Sequence, residues 1–228
     1  MPRRPLLLLC AAVCSIGVPG EARAQSIPGP QLARVDSVFA AFADPAAPGC
    51  AVAVVQDGRF ALSRGYGSAN LDYGIPIDGR SVFYLASVSK QFTAAAVALA
   101  AAEGRLSLDD DVRRWIPELP DYGTPITVRQ LVHHTSGLRD YLTLIPLSGR
   151  RADDHWSDAA LLDLIVRQRA TNFTPGSEYL YSNTGYVLLA EVVRRATDSS
   201  LRRFSDARIF RPLGMGSTHF HDDAAAVV

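Results

Sequence analysis

Apolar residues recur at two different periods along this chain. In "QLARVDSVFAAFA" (Gln31–Ala43), Leu32, Val35, Val38, Phe39 and Phe42 fall on one helical face. In "GCAVAVVQDGRFALSRGYG" two apolar runs flank Asp57-Gly58, a pair suited to a type I′ turn, so this stretch predicts a β-hairpin. Gly65 to Gly79 reads as loop. From Val88 to Glu103 the chain is alanine-rich and lacks Gly and Pro, and Gly104 stands where a helix C-cap belongs. Ser87 therefore falls at or just before the first turn of a helix.

Beyond it, "LSLDDDVRRWIPELP" reads as an irregular surface segment, because Pro117 and Pro120 break any helix. Four more helices are expected. One is capped by Thr127 and ends near His134, and one covers Ser157–Ala170; the others run from about Thr184 to Ala196 and from about Ser200 to Phe210. There is no internal repeat or low-complexity tract. Strands early and helices later predict an α/β (α+β) protein with a helical insertion. A lone hairpin makes only a marginal sheet, so the sheet is expected to be incomplete.

Composition narrows the class. The chain has 228 residues, 48% of them hydrophobic and 20% charged, with a formal net charge of zero. That suits one core-forming domain and lacks the basic stripe of a nucleic-acid binder. Arg3 and Arg4 precede a 13-residue apolar run, Leu6 to Val18, and Ala22-Arg23-Ala24 fits a small-x-small cleavage rule. Residues 1–24 are expected to be a signal peptide cut near Ala24, giving a secreted or periplasmic product without a stable membrane anchor. Cys10 and Cys14 lie inside that segment and follow Leu9 and Val13, where a lipoprotein signal needs a small residue. Cys50 would be the only mature cysteine, and "GCAVAVV" predicts a buried thiol.

Charge also singles out one position. Of 23 Lys and Arg residues only Lys90 is lysine, and Ser87 lies three residues before it. On a helix that spacing puts both on one face, about 4.5 Å apart along the axis. An amine at the positive end of a helix dipole and out of water is favoured in its neutral, proton-accepting form, a state arginine cannot reach. Eighteen serines in 228 residues make the spacing an 8% coincidence, so the pair is weak evidence by itself.

Further segments add weight: "FYLASVSKQFTAAAVALAAAEGRLSLDDDV", "ITVRQLVHHTSGL", "FTPGSEYLYSNTGYVLLAEVV" and "RIFRPLGMGSTHF". In this order they resemble the serine β-lactamase and penicillin-binding-protein family. The likeness is greatest to the branch of class C β-lactamases, D-alanyl-D-alanine carboxypeptidases, D-aminopeptidases and esterases. The resemblance implies an antiparallel sheet flanked by helices, with an all-helical lobe, and a serine hydrolase acting on an amide, β-lactam or ester. It implies Ser87 as nucleophile, Lys90 as its activator, Tyr181 as partner base and acid, and Asn183 as a group binding the substrate carbonyl and orienting the lysine. The backbone N–H of Ser87 would supply one oxyanion donor. A small-molecule or peptide substrate is implied, without metal or organic cofactor. The alternatives are a non-catalytic penicillin- or peptidoglycan-binding protein of the same fold, and an inactive fragment.

Other candidates are set aside. In the family, the segment of His133, His134 and Ser136 packs a helix end. His219, His221, Asp222 and Asp223 read as a solvated tail rather than metal ligands. Tyr84 and Ala86 stand where many class C enzymes have Glu and Gly, which moves weight toward an esterase- or peptidase-like relative. The family's third motif, Lys/His-Thr/Ser-Gly on a late strand, does not occur after Tyr181. The chain is therefore expected to be the N-terminal portion of a family member, poorly folded and with little turnover as residues 25–228 alone.

Overall fold

The computed structural model describes residues 27–151 and 153–221; the expected signal segment 1–24 and Asp222 and Asp223 lie outside them. The chain forms two compact units, one ending at Ser81 and one beginning at Val82.

In the first unit, α1 (Gly29–Val38) starts with Pro30 in its first turn and gives way to a 3-10 turn at Ala40–Phe42. The periodic stretch is thus broken, and its apolar face is only partly covered: Leu32, Val35 and Phe39 are half-buried, Val38 and Phe42 exposed. Strands β1 (Cys50–Gln56) and β2 (Arg59–Tyr66) pair antiparallel, with Gln56 opposite Arg59. Asp57 and Gly58 between them have φ of 51° and 72°, the left-handed pair that a type I′ turn requires. The pairing passes from Val54–Leu62 to Val55–Phe60, leaving Ala61 as a bulge residue.

The Gly65–Gly79 stretch is not all loop. It contains a second small antiparallel pair, β3 (Ser68–Asn70) and β4 (Ile75–Pro76), too short for an alternating pattern to betray. The Ser68 hydroxyl bridges the carbonyls of Asn70 and Ile75 across it. A Cβ at Gly49 would lie 1.8 Å from the Tyr66 carbonyl oxygen, so only glycine admits this close crossing. Tyr66 stacks on Phe39 and donates its hydroxyl hydrogen to Asp36 (2.8 Å). Cys50 is half-buried, less enclosed than its apolar neighbours suggested. Val54, Val55 and Phe60 are exposed on the hairpin.

The second unit is helical. A 3-10 turn, Ala86–Ser89, runs straight into α2 (Lys90–Ala102), and Gly104 follows it with φ of 70°. α3 (Val128–Val132) opens with a full capping box: the Thr127 hydroxyl accepts from Gln130 N–H, and the Gln130 side chain accepts from Thr127 N–H. α4 (Tyr141–Leu147) is capped by Asp140 and contains Pro146, which hid it from a pattern reading. α5 (Asp158–Val166) is capped by Ser157, and α6 (Asn183–Thr197) is the longest helix of this unit. α7 (Leu201–Ser205) starts at the expected Ser200 cap but passes into a π-helical turn, Asp206–Phe210. None of the described helices is long and apolar enough to cross a membrane.

The core lies where α2 meets α6. Ala96, Val97 and Ala100 from one, and Leu188, Leu189, Val192 and Val193 from the other, are fully buried. The alanine-rich sequence of α2 lets α6 approach closely, and Gly185 does the same for α6 against Leu131 of α3. One expectation is corrected here. The "LSLDDDVRRWIPELP" segment is irregular, but it is not surface: Leu106, Val112, Ile116 and Leu119 are buried in the same core. Prolines stop a helix without stopping burial. Arg195 of α6 holds this segment, donating to both carboxylate oxygens of Glu118 (2.9 Å each) and to the Trp115 carbonyl (2.8 Å). Glu191 binds the same guanidinium from the other side.

Candidate active site

All four sequence-derived candidates lie in the helical unit. Ala86 has φ of 45°, a left-handed conformation that a side chain disfavours, and it turns the chain so that Ser87 stands at the mouth of α2. Ser87 is exposed, whereas Lys90, one turn on, is half-buried. The Lys90 ammonium nitrogen donates to Ser87 Oγ (3.1 Å) and to Asn183 Oδ1 (2.8 Å). Ser87 Oγ also shares a hydrogen bond with Tyr181 Oη (2.7 Å). Residues 94 positions apart thus converge on one hydroxyl. Lys90 Nζ lies 4.9 Å from the centre of the Tyr181 ring and 5.5 Å from that of Tyr186, so two aromatic faces enclose it.

Three residues not read as part of the site complete it. Asp140 accepts from the Asn183 backbone N–H (2.5 Å) and from Asn183 Nδ2 (2.9 Å). Tyr186 anchors its hydroxyl on the Val132 carbonyl (3.1 Å). His134 has φ of 57°, lies against Tyr181 and Tyr186 with ring centres 4.5 and 5.1 Å away, and accepts from Ser182 N–H through Nδ1 (3.2 Å). The family-based reading of that segment as packing thus has a specific form: the imidazole supports the Tyr181 loop. No local signal marks these contacts, because the partners are 43 to 54 residues apart.

The electrostatics follow the geometry. Partial desolvation pushes the Tyr181 phenol up, but its hydroxyl's contacts with Lys90 and Ser87, and the lysine charge, outweigh this and hold it below the ordinary tyrosine value. Burial and then the Lys90 charge hold His134 below the usual imidazole value. Tyr186 is pushed up, chiefly by burial. A cavity of about 580 Å³ opens beside Lys90 and Asn183, lined further by Tyr141, Leu162, Glu191 and Arg194. Among the described residues no group of three or more His, Cys, Asp or Glu side chains could hold a metal ion.

Residues 35–227 match the Beta-lactamase family model. The chain belongs to the beta-lactamase family. It is 34% identical over 174 residues to a penicillin-binding protein of Bacillus subtilis (strain 168), covering 75% of this chain and 38% of that protein. It is 35% identical over 178 residues to a D-aminopeptidase of Brucella anthropi, covering 78% and 34% respectively. Among solved structures, the D-amino acid amidase of Ochrobactrum anthropi SV3 complexed with L-phenylalanine aligns with a TM-score of 0.63 at 30% identity, over 79% of this chain and 50% of that one. The fold is accordingly the mixed helix and antiparallel-strand fold of β-lactamases and transpeptidases. The chain spans about a third of the length of the curated relatives it matches.

Proposed function

We propose that this protein is a serine hydrolase that cleaves an amide through a Ser87 acyl-enzyme. The observation that carries this reading is the Ser87 hydroxyl held between the Tyr181 oxygen (2.7 Å) and the Lys90 nitrogen (3.1 Å). Ser87 Oγ bonds to the substrate carbonyl carbon while its proton passes to the Tyr181–Lys90 pair, and the carbonyl electrons move onto oxygen. The Ser87 N–H at the helix start is one donor to that oxyanion. Collapse breaks the C–N bond, and the amine leaves with the proton returned by Tyr181. Water, deprotonated by the same pair, then releases the acid.

Asn183 serves both ends of this sequence. Its Oδ1 accepts from Lys90, and one hydrogen on Nδ2 goes to Asp140. An amide nitrogen carries two hydrogens, and the second is the one assigned to the substrate carbonyl. Amide substrates, D-amino-acid amides and peptides in particular, are favoured by the names of the relatives, a D-aminopeptidase and a D-amino acid amidase. The likeness to a penicillin-binding protein favours a second reading, capture of a penicillin without turnover. The signal-like residues 1–24 put the mature chain in the periplasm or outside the cell, which N-terminal sequencing of the exported product tests.

Intact mass after incubation with fluorescent penicillin or a fluorophosphonate tests the reading. One adduct per chain, absent in Ser87→Ala, is expected. Timed release of the penicilloyl group identifies a hydrolase, and a permanent adduct identifies a binding protein. Equal labelling of Ser87→Ala would sink the assignment.

A further inference from the structure

Asp140 belongs to none of the motifs that point to the site, yet its carboxylate joins the starts of two helices to Asn183. Its Oδ1 accepts from Leu142 N–H (2.8 Å), capping α4. Its Oδ2 accepts from both the backbone N–H and the side-chain Nδ2 of Asn183, the first residue of α6. The neighbouring residues bolt the same two helices together: Tyr141 N–H donates to Thr184 Oγ1 (2.9 Å), which donates to the Arg139 carbonyl (2.7 Å). Thr184 is completely buried.

The chemistry of an amide makes this arrangement directional. A carboxylate only accepts, so the end of Asn183 that faces Asp140 must be the NH₂ end. The carbonyl oxygen is then turned toward Lys90, which donates to it at 2.8 Å while reaching Ser87 Oγ at 3.1 Å. Were Asn183 reversed, its NH₂ would confront the lysine donor-to-donor and displace it from the serine. We infer that Asp140 is a positioning residue: by fixing which way the Asn183 amide points, it sets the place of Lys90 against Ser87. This inference rests on the proposed Ser87 nucleophile.

A capping role alone would end at α4, but the relay has a second reach. The groups facing Tyr181 are Ser87 from the 3-10 turn, Lys90 from α2, His134 after α3, Asp140 before α4, Tyr141 from α4 and Tyr186 from α6. Asp140 is the anion among them, and its charge opposes ionisation of the Tyr181 phenol. The Lys90 contacts that favour ionisation outweigh that opposition. A displaced lysine therefore moves the rising limb of a reaction using the phenolate to higher pH, whereas loss of the Asp140 charge alone moves it to lower pH.

The test is the rate of fluorophosphonate labelling of the full chain across pH, for the wild type, Ser87→Ala, Asp140→Asn and Asp140→Ser. Serine is a good helix cap and should preserve the start of α4, but it is too short to hold both Asn183 donors. Labelling is expected to slow by about tenfold to a hundredfold in both Asp140 variants, as a small misplacement of a reacting group does. The rising limb of Asp140→Asn should lie at higher pH than that of the wild type. Wild-type rate and an unmoved limb in Asp140→Asn overturn the inference. So does slowed labelling with an unmoved or lowered limb, which marks a cap and a charge that do not place the lysine. Labelling that survives in Ser87→Ala removes the underlying nucleophile instead, and the inference falls with it.

Discussion

The two compact units of this chain use their apolar residues in opposite ways. In the unit ending at Ser81, the hairpin leaves Val54, Val55 and Phe60 exposed, and α1 has no fully buried residue. In the unit beginning at Val82, α2, α6 and the irregular stretch around Val112–Leu119 enclose a continuous core with many side chains fully removed from water. All the candidate chemistry is in the second. Hydrogen bonds of 2.7 and 2.8 Å between residues more than 90 positions apart need helices that cannot slide, and a close-packed core supplies that rigidity. Burial, more than the amount of regular structure, marks the unit able to hold a reactive geometry.

The sharpest way to break this comparison is at Lys90. Lys90→Arg keeps a cation in the helical unit but removes the amine that shares the Ser87 proton with Tyr181, so Ser87 labelling should fall by about 10²–10⁴ while the fold persists. An unchanged rate would reduce the lysine to a counter-charge. Leu188→Ala tests the core itself and should cost about 2–5 kcal/mol, read from urea unfolding. Both tryptophans, Trp115 and Trp156, lie in the helical unit, so their fluorescence follows that unit alone.

The same signal should show two pH windows. Burial holds His134 below its ordinary value, so the folded state resists protonation; its contribution is complete above about pH 6.5 and is lost as pH falls below it. Hydrogen bonds, from Arg194 to Glu191 and from Arg195 to Glu118, hold these carboxyls below their ordinary range. Their contribution is present above about pH 4.3 and fades as pH drops through the depressed values. Arg195→Met should flatten the lower window and leave the upper one in place. The smallest effect belongs to the hairpin: Val55→Ala should change stability, read from circular dichroism in urea, by no more than about 0.5 kcal/mol, because that side chain is 61% exposed. A loss as large as that from Leu188→Ala would erase the distinction between the units.

What could be read in advance follows the sequence distance of each interaction. The Asp57-Gly58 turn, the Thr127 and Ser157 caps and the Ser87–Lys90 spacing are all settled within four residues, and each was legible. Helix α4 was hidden by Pro146, and β3 and β4 by having too few residues to show a period. The Val112–Leu119 stretch misled because its prolines describe backbone conformation and say nothing about burial. Tyr181 and Asn183 emerged only through family resemblance. Asp140 and His134 escaped notice because their partners arrive from across the helical unit, a coincidence that tertiary packing alone creates.

The solitary lysine has a practical consequence. In a chain whose other 22 Lys and Arg residues are all arginine, an amine-directed reagent meets one side-chain amine, and it is the one bonded to Ser87 and Asn183. An isotopically tagged Lys90 would give a single side-chain resonance on a silent background. The protonation, motion and substrate encounter of the reactive centre could then be followed through one spectroscopic line, without introducing a single mutation.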